Sequence, residues 1–199
     1  MGVLFCSYIF VSKLHNIEMK YSLEILKEEF QKGERIKYLF FWGHQPTKDG
    51  SVSASCFSQW WKSSFEVDGN VFLTAEHWMM YQKAILFGDK TIAEKVLTVN
   101  SPMEAKALGR KVASFDPEIW NNHKFQIVVD GNLHKFKQHD ELKEYLIKTG
   151  KRTIVEASPR DRIWGIGMWK NNPHAENPLL WRGQNLLGFA LMEVRDRIK

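Results

Sequence analysis

The chain has 199 residues, is 13% aromatic with 8 Trp and 13 Phe, and carries a formal net charge of +5. That length suits one domain with a core large enough to be stable, and the charge favours anionic partners without singling out nucleic acid over phosphorylated metabolites. The two cysteines, Cys6 and Cys56, share no motif and fit free thiols of a reducing, cytoplasmic protein, and no apolar run is long enough to span a bilayer.

The sequence opens on MGVLFCSYIFV (1–11), a short apolar run with no basic residue before it and no clear cleavage site after it. It reads as an edge strand or as sequence upstream of a start at Met19, the second being preferred. From there Leu23, Leu26 and Phe30 recur at helical spacing, and Gly33 ends the helix. IKYLFFW (36–42) predicts a buried strand. GHQPTKDGSVSAS (43–55) is a polar loop, long enough to point to a binding or lid role. FEVDGNVFL sets Asp68-Gly69 between two β-type runs, a hairpin signal.

A helix is predicted over 74–88, capped by Thr74 and closed by Gly88. Ser101-Pro102-Met103-Glu104 reads as a capping box with proline at the first helical position, and Asp116-Pro117-Glu118 opens another helix in the same way. DELKEYLIKTG (140–150) is an amphipathic helix, RTIVEA (152–157) a short strand, and the chain closes on a helix with Leu187, Leu191, Val194 and Ile198 on its apolar face. The order predicts an α+β domain, predominantly helical, around a small sheet.

Within AEHWMMYQKA (75–84), Glu76, Met80 and Lys83 share one helix face, and Glu76 sits in the first turn where the helix dipole favours negative charge. On spacing alone this is helix-end electrostatics and a solvated lysine. His77 lies off that face and reads as a packing or hydrogen-bonding residue. Metal binding is not expected, since His134 and His139 lack accompanying cysteine pairs or an H-E-x-x-H pattern. Gly165-Ile166-Gly167 lacks the third glycine of a dinucleotide fingerprint, and neither a phosphate-binding P-loop nor a serine nucleophile elbow is present.

EASPRDRIWGIGMW (156–169) is the stretch richest in chemistry. Residues 148–170 hold six basic and two acidic side chains, a local net of +4. Arginine forks suit phosphate, tryptophan faces suit a flat heterocycle, and glycine lets backbone approach a ligand. These residues fit a pocket for a phosphorylated sugar joined to a ring, and equally a surface loop anchored by a buried tryptophan. Candidate binding residues are Trp164 for stacking, Arg160, Arg162 and Lys135 for phosphate, and Gly165 for close approach. Asn185 reads as a helix cap or a ribose ligand, and Glu156 as a possible anchor for an arginine in the core.

The chain resembles the YbiA-like, or NADAR, family over residues 38–199, with residues 1–37 as an N-terminal extension. The resemblance rests on AEHWMMYQKA (75–84), Ser101-Pro102 with Ala107-Leu108-Gly109-Arg110, Trp120, KFKQHDEL (135–142), Thr149-Gly150, VEASPRDRIWGIG (155–167) and GQNLLGFALMEVR (183–195). It implies hydrolysis of an N-glycosidic bond, with no cofactor. One substrate class it implies is the ribosylamino-pyrimidine phosphates of the riboflavin pathway. The alternatives are ADP-ribose removal from guanine in nucleic acid, as an antitoxin to an ADP-ribosyltransferase, and a non-catalytic ADP-ribose or NAD-binding module. The resemblance carries Glu76 and Asp161 over as a carboxylate pair. Lys83 offers a second route, a Schiff base with the opened sugar.

Overall fold

The computed structural model describes residues 20–199. The 1–11 run and the preferred start at Met19 lie outside the described residues. The first helix, α1 (Leu23–Gln31), is capped by the Ser22 hydroxyl, buries Leu26 in the common core and stops before Gly33, whose φ is 78°. Strand β1 (Tyr38–Phe41) follows. It is shorter than the predicted 36–42, and only Phe41 is fully buried, because the strand has one neighbour and an open edge. The expected loop at 43–55 gives way to a 3₁₀ turn at Ala54–Phe57. The hairpin β2 (Phe65–Val67) and β3 (Asn70–Phe72) turns at Asp68 and Gly69, with φ values of 50° and 77°, as a type I′ turn requires.

Helix α2 (Ala75–Leu86) has Thr74 as its cap, and α4 (Pro102–Gly109) has a complete capping box between Ser101 and Glu104. Between them lies α3 (Lys90–Thr98), which the sequence reading did not identify. Its signal was present in the Asp89 cap and the spacing of Ile92, Ala93 and Val96. The 21-residue α5 (Pro117–Lys137) starts at Asp116, α6 (Asp140–Ile147) follows, and α7 (Leu186–Arg197) closes the fold. Strand β4 (Thr153–Glu156) pairs parallel with β1, Phe41 opposite Glu156.

The architecture is therefore α+β and mostly helical, with its strands in two separate pairs rather than one small sheet. Helix α7 lies on β4, α5 on α7, α2 on α5, and α3 and α4 on α2. The core runs through these layers, with Ile154, Val155, Phe136, Val128, Leu187 and Leu191 all excluded from solvent. The parallel pair is what positions the site, since both strands end on the same side of the molecule.

Candidate active site

Glu76 stands in the first turn of α2, its side chain almost wholly buried and its N–H donated to Gln59 O at 3.0 Å. Burial pushes its pKa up to about 7; Lys106, the Trp60 indole and Arg110 oppose the rise and the Asp161 charge adds to it. Glu156 ends β4. Burial pushes its carboxyl up to about 8, with Asp161 and Glu76 adding and Lys106 opposing. One carboxyl oxygen of each glutamate is enclosed without a hydrogen-bond partner. Glu76, Glu156 and Asp161 are thus one electrostatic cluster, with Lys106 acting on both glutamates.

Asp161 also organises the loop that carries it. Its Oδ1 accepts the N–H of Ile163 at 2.9 Å and of Trp164 at 2.7 Å, while its carbonyl accepts from Gly167 at 3.0 Å. The segment before α7 then fastens this loop through main-chain bonds. The N–H groups of Arg182, Gln184, Asn185 and Leu187 donate to the carbonyls of Ile166, Arg162, Gly165 and Trp164. Such close backbone approach needs glycine: a Cβ on Gly183 would lie 2.3 Å from Gly165 O and 2.7 Å from Arg162 Cα.

Several sequence expectations change here. Lys135 is no phosphate ligand in this fold, because it is fully buried and its Nζ donates to Cys56 O at 2.7 Å and Ser58 O at 3.2 Å. Gly165 packs against Glu156 O and Asp161 O, so its missing side chain makes room for protein rather than for a ligand. Asn185 occupies the N-cap position of α7, but its side chain makes no capping hydrogen bond and does not face solvent. It is fully buried with φ 54°, accepts from Glu156 N at 3.0 Å and donates to Ile154 O at 2.9 Å. Glu156 anchors no arginine among the described residues; its neighbours are acids and Lys106.

Trp164 is half-buried and packs on the core. Arg160 and Arg162 are exposed, and neither forms a salt bridge among the described residues. Lys83 is half-buried with its pKa lowered by burial, and its Nζ donates to Gly109 O at 2.8 Å and lies 4.1 Å from the Phe115 ring centroid. It is not among the charges acting on Glu76, although the two share a helix face. His77 is held between Thr74 Oγ1 and Val99 O, the hydrogen-bonding role its position predicted.

Three site residues escaped the sequence reading. Trp60 lies beside the Glu76 carboxyl, with the His44 ring 5.5 Å from its own and Lys106 Nζ 5.8 Å from its ring centroid. Lys106 lies on α4 and Arg110 follows its last residue, beside and within the Ala107-Leu108-Gly109-Arg110 segment. No local signal marks Trp60, because its role depends on a turn folding back against α2.

Beyond the ends of β1 and β4 lies a groove of about 520 Å³, walled by Phe41, Trp42, Ala157 and Trp169. A second cavity of about 340 Å³ lies between α1 and α7, and none of the candidate residues lines either of the two. Among the described residues no group of three or more His, Cys, Asp or Glu has metal-binding geometry, and no helix is long and apolar enough to cross a membrane.

The α+β scaffold thus carries enclosed acids and, beyond the ends of its parallel strands, a groove that none of them lines. The chain belongs to the NADAR family, whose NADAR domain matches residues 40–199. A protein of Acanthamoeba polyphaga mimivirus named as an N-glycosidase is 42% identical over 168 residues, covering 82% of this chain and 97% of its own length. The N-glycosidase YbiA of Escherichia coli K12 is 32% identical over 152 residues, 76% of this chain and 84% of that protein. The solution structure of E. coli YbiA superposes with a TM-score of 0.64 at 29% identity, covering 82% of this chain and 85% of that one.

Proposed function

We propose that this N-glycosidase hydrolyses the bond between ribose and the nitrogen of a ring amine in a phosphorylated N-riboside, the ribosylamino-pyrimidine phosphates being the preferred substrates. The observation that carries the reading is the enclosed pair Glu76 and Glu156, both with raised pKa, sharing Lys106 and Asp161 as charged neighbours. The relatives named as N-glycosidases supply the reaction type.

Breaking such a bond builds positive charge on the sugar, and the departing nitrogen needs a proton. Glu156, its carboxyl pushed up by burial and by the Asp161 and Glu76 charges, serves as the proton donor. Glu76, at about 7, exchanges its proton near neutrality and is the base for the attacking water. Asp161 contributes negative charge that favours an oxocarbenium-like state. Arg160 and Arg162, free of acidic partners among the described residues, are the phosphate ligands.

A Schiff-base route remains testable in the same assay. Lys106 is the lysine acting on the carboxyl pair, whereas the Lys83 ammonium is donated to Gly109. Borohydride added during turnover is expected to leave any adduct on Lys106; an adduct on Lys83 would reverse that assignment.

The deciding experiment is a paired turnover assay read by mass spectrometry. One substrate is a ribosylamino-pyrimidine phosphate, the other an oligonucleotide bearing ADP-ribosyl-guanine, and Glu76→Gln protein is the control. Release of ribose phosphate alone supports the metabolite reading. Release of ADP-ribose alone replaces it with repair of nucleic acid. Binding without turnover of either replaces it with a ligand-binding module.

A further inference from the structure

We propose that the groove between Trp42 and Trp169 is the subsite that takes the flat nitrogen heterocycle of the ligand. The inference rests on the reading above, since it places the ring of the same N-riboside, and it assigns Trp42 and Trp169, neither of them a named candidate in the sequence.

Two large aromatic side chains are left in water here. Trp42 is 55% exposed and Trp169 is 48% exposed, yet both belong to one wall. Their ring centroids are 4.8 Å apart at an interplanar angle of 69°, so one indole presents its edge to the other's face. That arrangement forms a notch. A planar ring stacked on one indole inside this corner turns its own edge to the face of the other, and aromatic groups favour both contacts. A groove of about 520 Å³ also falls in the size range of small-molecule sites.

The position links the notch to the chemistry. Trp42 directly follows Phe41, and Ala157 directly follows Glu156; the Ala157 N–H donates to Phe41 O at 2.8 Å. One wall of the groove is therefore built from the residues that immediately succeed the paired strand ends. Glu156 does not itself line the groove; it ends the strand whose next residue, Ala157, does. Lys170 and Asn171, next to Trp169, border the same groove with polar ends suited to ring nitrogens and exocyclic groups.

Trp164, the tryptophan singled out from the sequence, is committed elsewhere. Its N–H is held by Asp161 and its carbonyl by Leu187, and its ring packs on the core. The stacking role falls to Trp169, five residues later in the same loop, and to a partner 127 residues earlier (169 − 42).

The test is calorimetric titration of the full chain with adenosine 5′-monophosphate and, separately, ribose 5-phosphate. The proteins are wild type, Trp42→Ala and Trp169→Ala, with Trp42→Phe and Trp169→Phe as variants that keep a stacking face. Wild type is expected to bind the nucleotide, and each alanine variant to lose about tenfold or more of that affinity. Ribose 5-phosphate affinity should not change, and the phenylalanine variants should recover most of the nucleotide binding. The proposal is overturned if wild type does not bind the nucleotide, if both alanine variants bind it as wild type does, or if ribose phosphate binding falls by the same factor. Should an alanine variant melt early, the phenylalanine variants at the same position decide. A protein that holds the nucleotide in this groove but turns over neither N-riboside keeps the subsite and loses the hydrolase reading. Turnover whose KM ignores both tryptophans keeps the hydrolase and loses the subsite.

Discussion

The side-chain oxygen of Asn185 accepts the backbone N–H of Glu156 at 3.0 Å, and its amide nitrogen donates to Ile154 O at 2.9 Å. One residue at the start of α7 thereby completes the hydrogen bonding of the strand end that carries a site carboxyl. Asn185→Ala removes both bonds, leaves buried polar groups unpaired and puts alanine at φ 54°. Denaturant unfolding should show a loss of about 2–4 kcal/mol. A change within about 0.5 kcal/mol would mean that water replaces the asparagine.

Removing an ionisable acid from the site should stop the chemistry without unfolding the protein. Glu76→Gln and Glu156→Gln are each expected to lower kcat/KM by about 100-fold or more while circular dichroism stays native. Wild-type kcat/KM should follow a bell in pH around the two raised values, about 7 and about 8. A glutamine variant that keeps wild-type turnover loses its place in the mechanism.

The same raised values tie stability to pH. Both carboxyls stay protonated in the folded protein at pH values where the unfolded chain has released the proton. Their contribution is complete below the ordinary glutamate value of 4.5 and is lost as pH rises through about 7 for Glu76 and about 8 for Glu156. Glu156→Gln removes its share of that loss. Relative to wild type, the variant should gain melting temperature steadily between about pH 5 and about pH 9. A difference that is flat with pH would show that the Glu156 carboxyl titrates normally.

Gly183 seals the site loop against the segment before α7. Gly183→Ala drives a methyl group into Gly165 O and the Arg162 backbone, neither of which can rotate away. The expected cost is about 1–3 kcal/mol, with activity lost alongside because the loop holds Asp161. Thermal melting and turnover on one preparation check both. Unchanged values for the two would place the loop farther from Gly183 than described.

Lys135→Met tests the reassignment of a residue first read as a phosphate ligand. It takes the ammonium donor from the Cys56 carbonyl, while Ser58 O keeps the Trp61 N–H, so about 1–3 kcal/mol of stability should go. Affinity for ribose 5-phosphate should hold. Selective loss of phosphate affinity in a stable variant would restore the original reading.

What could be read from the sequence was whatever is encoded locally. Thr74, Ser101-Glu104 and Asp116 announce helix starts because each cap acts on its own next turn, and Asp68-Gly69 announces the hairpin because both turn residues need positive φ. Glu76 and Asp161 were visible as acids in family motifs, and the Asp161 charge acts on the Glu76 carboxyl. Trp60, Lys106 and the role of Glu156 were not visible, because each depends on which distant segment covers it. Lys135 and Asn185 show the opposite error: polar residues in a motif look like ligands until burial reveals that their partners are main-chain carbonyls and N–H groups. Helix α3 was overlooked although its cap and apolar spacing were there to be counted.

The parallel pairing of β1 with β4 has a consequence for how the molecule is made. Tyr38 pairs with Thr153, a separation of 115 residues (153 − 38), and main-chain bonds from residues 182–187 fasten the loop behind β4. Contacts this remote in sequence form late, after the cost of closing a long loop has been met. During synthesis the helical layers α2 to α5 emerge before either Glu156 or its clasp exists, so a growing polypeptide has no working site until almost the last helix leaves the ribosome. A fragment that stops short of α7 lacks Asn185 and the main-chain clasp on the loop that carries Asp161.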